Sequence, residues 1–365
     1  MLPVAFSIYR LPHDNHATLI RQMEGEPAEL YACSELNGKE GFVLAPFDIT
    51  EGQPILLIRP DEVETINLCN LSLAGISGLV DCPSVLSGPS IGSSRFSYSI
   101  DFANFHSQLE LGTFRKIVLS RCADSQTEAP ISPLDLFCCA CENYPRLFIS
   151  LVWTAKSGYW LTATPEILLE STDKGWRTIA LAGTMKLEGE NLKGEGETVT
   201  WSTKNIQEQR FVTTYITECL EQFTGDFHEE GPFTVRAADL VHLRSDFTFS
   251  IPAPQQIGNL LQVLHPTPAV CGLPKREAFQ FIIRNEHTPR RYYSGFMGPL
   301  SLVVPSADSP QTHLYVSLRC MNIEGNIYHL YAGGGLLKDS VEEQEWNETE
   351  AKLETMRRCI ATKKM

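Results

Sequence analysis

The chain has 365 residues, 43% apolar and 20% charged, the composition of a soluble globular protein with material for a large core. Its formal charge of −14 argues against general binding to nucleic acid or to an anionic membrane, so an anionic small molecule must be met by local basic groups. Eleven cysteines, an odd number without the regular spacing of a secreted disulfide scaffold, point to a reduced, cytoplasmic setting. The start, Met1 to Ile8, lacks the basic and apolar regions of a signal peptide, and no apolar run reaches membrane-spanning length.

Residues 1 to 100 hold short strand-like runs at Ala5–Tyr9, Leu30–Cys33, Phe42–Leu44 and Ile55–Ile58 and no catalytic constellation. They read as a strand-rich part of the same domain as residues 101 to 365. A Ser- and Gly-rich connection, Leu86–Ser94, lies between the two parts. After a helical stretch at Phe102–Leu111, Lys116–Arg121 reads as a strand with Lys116, Val118 and Ser120 on one face. A lysine desolvated on such a strand is a candidate general base; a lysine at a solvated strand edge is the plainer reading. Cys138, Cys139 and Cys141 lie in an apolar helix-like run and read as buried thiols rather than zinc ligands.

Phe148–Trp153 and Tyr159–Thr162 read as paired strands, followed by a corner at Pro165. Glu166, between that proline and the apolar Ile167–Leu169, is placed to be desolvated and to keep its proton as a general acid must, unless it is an ordinary turn glutamate. Residues 185 to 203 are polar and loop-like. Lys204–Phe223 then has helical periodicity, and Glu208 opens its buried stripe. A carboxylate there needs a partner, either a metal ion or a nearby Arg or Lys. His242 lies among apolar residues, where a lone histidine is more often a satisfied core residue than a catalyst. Arg319 ends a strand and suits bidentate carboxylate binding or a surface ion pair.

The last segment runs from Tyr331 through Gly333, Gly334 and Gly335, which read as a turn, to Ser340 and Glu343, which read as a capping box. Glu345 and Glu348 share a helix face at the margin of the apolar stripe, and such a pair repels unless a proton or cation intervenes. Glycine amides beside paired carboxylates suggest an anionic ligand bridged to a hard cation such as Mg²⁺. The bland reading is an acidic first turn that complements the helix dipole.

Nine stretches, in order, resemble the chorismate-utilising enzymes, and within them the isochorismate synthases. They are Lys116-Ile-Val-Leu-Ser-Arg121, Thr164-Pro-Glu-Ile-Leu-Leu169, Leu181-Ala-Gly-Thr184, Lys204-Asn-Ile-Gln-Glu-Gln209 and His265-Pro-Thr-Pro-Ala-Val-Cys-Gly-Leu-Pro274. The others are Ser294-Gly-Phe-Met-Gly-Pro299, Leu318-Arg-Cys320, Ala332-Gly-Gly-Gly335 and Glu345-Trp-Asn-Glu-Thr349. The resemblance covers about residues 102 to 360 and implies an α/β (α+β) fold of large mixed, mostly antiparallel sheets packed with helices. It implies chorismate as substrate, water added at C2 and the C4 hydroxyl lost. Lys116 matches the base and Glu166 the acid. Glu208, Glu345 and Glu348 match the Mg²⁺ site. Thr184, His242, Arg319, Tyr331, Gly334 and Gly335 match positions that bind substrate. No obligate protein partner is implied. Lys116 together with Ala182 favours water over ammonia or lysine as nucleophile. A salicylate synthase, which goes on to eliminate pyruvate, and a non-catalytic chorismate-binding regulator are the alternatives. Met185-Lys-Leu187, Asn205 and Gln209 depart from the family pattern, the last two near the expected metal shell.

Overall fold

The computed structural model of the protein describes residues 2–68, 92–186, 199–237, 240–251, 256–305 and 309–362. Most of the Leu86–Ser94 connection and of the polar 185–203 stretch, including Leu187, lies outside the described residues. Eighteen strands form two nine-stranded sheets. In spatial order the first holds β14 (Gly272–Leu273), β7 (Lys116–Gln126), β18 (Ile327–Leu336), β17 (Cys320–Glu324), β9 (Gly158–Thr164), β8 (Phe148–Thr154), β1 (Ala5–Arg10), β2 (His16–Gln22) and β6 (Glu62–Asn67). The second holds β12 (Phe227–Ala237), β13 (Leu240–Phe249), β11 (Gly175–Lys186), β10 (Ile167–Thr172), β16 (His313–Val316), β15 (Phe296–Leu300), β4 (Gly41–Ala45), β5 (Ile55–Ile58) and β3 (Ala28–Leu30). The sheets are expected to be mixed and mostly antiparallel, and every pairing between these named strands is antiparallel. Strands from the first 68 residues lie in both sheets.

The sheets face each other. Strand alternation sends Phe148 and Val152 inward and Ile149, Leu151 and Trp153 outward. Between the sheets the rings of Phe148 and Tyr315 stack with centroids 4.3 Å apart. Helices α2 (Pro133–Asn143) and α6 (Glu342–Thr362) cover the outer face of the first sheet. Helices α3 (Thr203–Leu220) and α4 (Ile257–Leu264) cover the second. At the β7 end, α1 (Arg95–Glu110) and α5 (Lys275–Asn285) bury Ile117 and Leu119, so alternation turns Lys116 and Val118 inward, between the sheets. Among the described residues no helix is long and apolar enough to cross a membrane. The nine described cysteines are free thiols.

Two local expectations fail. The glycine run is not a turn: Gly333, Gly334 and Gly335 continue β18 and pair with Ser120, Leu119 and Val118. Glycine is required there by crowding, because a Cβ on Gly333 would lie 2.8 Å from Tyr293 Oη and one on Gly335 2.8 Å from Lys116 Cε. The capping box does not form either. Ser340 Oγ accepts from the Leu337 amide at 3.0 Å, while Glu343 reaches out to Arg95 at 2.7 Å.

Candidate active site

Two chain crossings between the sheets build the centre of the site. Pro165 and Glu166 link β9 to β10, and Ser317 to Arg319 link β16 back to β17. The crossings are tied together: the Val316 amide donates to Glu166 O at 2.9 Å, and the Ala163 amide to Arg319 O at 3.2 Å. Arg319 has φ of 47°, the left-handed region, which costs a non-glycine residue and marks a position fixed by its surroundings. A cavity opens beside these crossings. Its space is about 610 Å³ when the open mouth is counted. Glu166, Thr184, Glu208, His242, Arg319, Tyr331, Gly333, Gly335 and Lys352 line it.

Glu166 is buried, and burial pushes its carboxyl up to about 8, against the opposing pull of Lys116, Lys352 and Arg319. It therefore keeps its proton near neutral pH. Glu208, on the inner face of α3, behaves in the opposite way. Burial pushes its carboxyl up, but the ammonium groups of Lys116, Lys204 and Lys352 together outweigh burial and hold it below the usual carboxylate range. Lys116 Nζ lies 2.9 Å from Glu208 Oε1, with the lysine side chain fully buried. Glu208 is the ion-pair partner of this buried ammonium. Of the two partners the helix pattern allowed for Glu208, the structure supplies the lysine.

Arg319 and His242 form a unit. Arg319 Nη2 donates to His242 Nε2 at 2.5 Å, and His242 Nδ1 lies 3.1 Å from Gly183 O. An imidazole that accepts at Nε2 and donates at Nδ1 is neutral. Burial first, and then the charge of Arg319, hold it well below its ordinary pKa. His242 thus orients the guanidinium rather than moving a proton. Arg319 Nη1 is buried with no hydrogen-bond partner among the described residues. Thr184 faces His242 across a bulge at Gly183, whose φ is 68°.

The C-terminal helix adds the other carboxylates. Glu345 is 1% exposed, far deeper than the margin its sequence position indicates, while Glu348 is half-buried. A Cβ on Gly334 would lie 3.3 Å from Glu345 Oε2 and 3.7 Å from Glu348 Oε1, so both face the glycine strand. Burial, and then Glu348, raise the Glu345 carboxyl. Each acid has a cation: Lys204 pairs with Glu345, and Lys352 Nζ lies 2.7 Å from Glu348 Oε1. Lys352 also donates to Gly333 O at 2.8 Å. Sequence reasoning gave no role to Lys204 or Lys352. The spacing of Lys352, four residues after Glu348, was the available signal. Gln209 turns away from the pocket and donates to Ala180 O at 3.1 Å.

The fold and this acid–base pocket, with a guanidinium held by His242 and several ammonium groups, define a site suited to a small anionic molecule. Residues 85–361 match the family model for chorismate binding enzymes, and the chain belongs to that family. Over 252 residues it is 32% identical to isochorismate synthase MenF of Escherichia coli (strain K12), a match covering 68% of this chain and 56% of that protein. Over 245 residues it is 30% identical to isochorismate synthase EntC of the same strain, covering 66% of this chain and 61% of the relative. The matches thus span less than two thirds of the length of these relatives. Among solved structures, Escherichia coli MenF superposes with a TM-score of 0.77 at 23% identity, over 98% of this chain and 89% of that one. Anthranilate synthase component I of Streptococcus pneumoniae TIGR4 superposes at 0.68 with 16% identity, over 98% and 90%. At these identities the superpositions show a shared fold.

Proposed function

We propose that the protein is an isochorismate synthase, converting chorismate to isochorismate by adding water at C2 and releasing the C4 hydroxyl. The observation that carries this reading is Glu166, a buried carboxyl that keeps its proton at neutral pH in a pocket also lined by Glu208, whose carboxylate Lys116 contacts from behind. Lys116 acts as base only after giving up the proton it holds against Glu208, and then takes a proton from the attacking water, while Glu166 gives its proton to the departing hydroxyl. One proton is gained and one lost, so substrate and product are isomers. Arg319, held by His242, binds a substrate carboxylate through Nη1. Lys352 and the glycine strand face the same space.

Mg²⁺ belongs to this proposal. Its ligands would be Glu208, Glu345 and Glu348, which offer the oxygen donors that a hard cation takes. Glu345 Oε2 is buried with no hydrogen-bond partner among the described residues, an oxygen open to a cation; each of the three acids is paired with an ammonium that the ion would have to displace. When bound, the ion supplies charge that attracts a substrate carboxylate and competes with Lys116 for Glu208.

The test is incubation of the purified protein with chorismate, with and without Mg²⁺, resolved by chromatography and NMR because substrate and product have equal mass. A coupled pyruvate assay runs alongside. Isochorismate without pyruvate, and only with Mg²⁺, is the expected result. Salicylate with stoichiometric pyruvate, or binding without turnover, would refute it.

A further inference from the structure

A buried ion pair stands behind the Lys116 wall, outside the pocket. Glu286 follows α5, and Arg290 lies four residues on; their side chains are 4% and 3% exposed. Arg290 Nε donates to Glu286 Oε2 at 2.7 Å and Nη2 approaches Oε1 at 2.5 Å, a two-point pairing. The guanidinium lies over the Phe47 ring at 4.3 Å, which fixes its plane. A buried ion pair is weak evidence of stability. Its remaining bonds are more telling.

Those bonds go to backbone. Glu286 accepts from the Ser120 amide at 2.8 Å and from Ser120 Oγ at 3.1 Å. Arg290 donates to Val118 O at 2.8 Å and to Val270 O at 2.6 Å. Val118 and Ser120 are on β7, one and two alternations past Lys116. The outer edge of β7 is covered by β14 only at Lys116 and Ile117, followed by one bond from the Val118 amide to Cys271 O at 2.7 Å. From there the two side chains occupy the places of a missing strand and satisfy the next edge groups. Val118 and Val270, both gripped by Arg290, are both pocket wall.

We propose that Glu286 and Arg290 are positioning residues: they fasten β7 to the Thr267–Leu273 stretch and thereby fix where Lys116 and the Val118–Val270 wall stand relative to Glu166. The inference rests on the isochorismate synthase reading. On its other side β7 is held by a ten-residue ladder to β18 that stops at Ile117, so Lys116, one residue beyond it, leans on the two-residue β14 ladder that the clamp secures; a catalytic group displaced by about 1 Å can lose on the order of 10²-fold in rate.

The experiment compares R290K, E286A and E286Q in the full chain. R290K keeps the charge but cannot bridge two carbonyls and a carboxylate. E286Q keeps an oxygen for the Ser120 amide, and E286A does not. Three readouts are taken: thermal stability, kcat and KM for chorismate well below the melting point, and amide exchange of the segment 116–121. R290K and E286A are expected to lose about 10²-fold in kcat with KM within about threefold, and to exchange that segment at least about tenfold faster. E286Q recovers most of what E286A loses. Unchanged kcat in the folded variants, or a loss confined to KM, overturns the proposal. If the wild-type protein does not convert chorismate, the functional reading fails by itself. The exchange result then judges the clamp, and unaltered protection of the segment overturns it.

Discussion

Glu166 and Glu208 are both buried carboxylates on one small pocket, and the structure gives them opposite proton states. Glu166 sits at a crossing between the sheets, where burial outweighs the surrounding cations and the carboxyl rises to about 8. Glu208 sits on a helix face in contact with an ammonium, and the nearby cations outweigh burial. Depth does not separate them; contact with a cation does. The acid proposed as proton donor has no ion pair among the described residues, and Glu208, proposed as a metal ligand, has one.

The largest expected break in this contrast is Lys116→Ala. It removes the proposed base and the cation that keeps Glu208 ionised. The kcat should fall by roughly 10²–10⁴-fold, while Mg²⁺-dependent chorismate binding by calorimetry survives. Full retained activity would remove Lys116 from the mechanism.

Glu166→Gln tests the other side. The kcat should fall by a similar ~10²–10⁴-fold, and the loss of kcat/KM above about pH 8, where wild-type Glu166 gives up its proton, should vanish with it. Stability provides a check independent of chemistry. The folded pKa is raised from 4.5 to about 8, so between those values the native state holds a proton that the unfolded chain has released. Wild-type stability therefore falls with rising pH across that window and levels off above it. The melting temperature of Glu166→Gln should gain on the wild type from about pH 5 to about pH 8 and then run parallel. A constant gap would mean that Glu166 is not held protonated.

Gly335→Ala would push a methyl group into the Lys116–Glu208 contact, since the new Cβ would lie 2.8 Å from Lys116 Cε and overlap Glu208 Oε1. Overpacking of this kind costs about 1–3 kcal/mol in denaturant unfolding, and activity should fall more than stability does. Lys352→Met removes an ammonium from the pocket wall. Loss of a charge-assisted hydrogen bond to substrate should raise KM by roughly tenfold, read from initial rates. The smallest effect belongs to Glu343→Ala. Its partner Arg95 is at the surface and the glutamate side chain is 68% exposed, so the change should stay within about 0.5 kcal/mol. A loss of about 1 kcal/mol would revive the capping box.

Local pattern carried much of the architecture. Period-2 alternation placed Lys116, Val118 and Ser120 on one face of a strand, and helical spacing put Glu208 on the buried stripe of α3, because both depend on neighbours within a turn or a pleat. The proline and apolar run around Glu166 marked it for desolvation. The glycine run shows where such reading stops. Consecutive glycines signal a turn in isolation. Here they are strand because Tyr293, Lys116 and Glu208, from three distant parts of the chain, leave no room for a Cβ.

By itself, then, the sequence determined most of the strands and helices and which face of each is apolar; it placed Lys116 more readily at a solvated edge and Glu345 at a helix margin, and both are buried. The tertiary structure alone decided who meets whom: Lys116 with Glu208, Lys204 with Glu345, Lys352 with Gly333, Arg319 with His242. Most of these pairs are separated by many tens of residues and depend on the register of β7 against β18 and on the two sheet crossings. Their proton states follow from those contacts, because a buried charge takes its pKa from the groups within a few ångströms, and sequence distance does not report them.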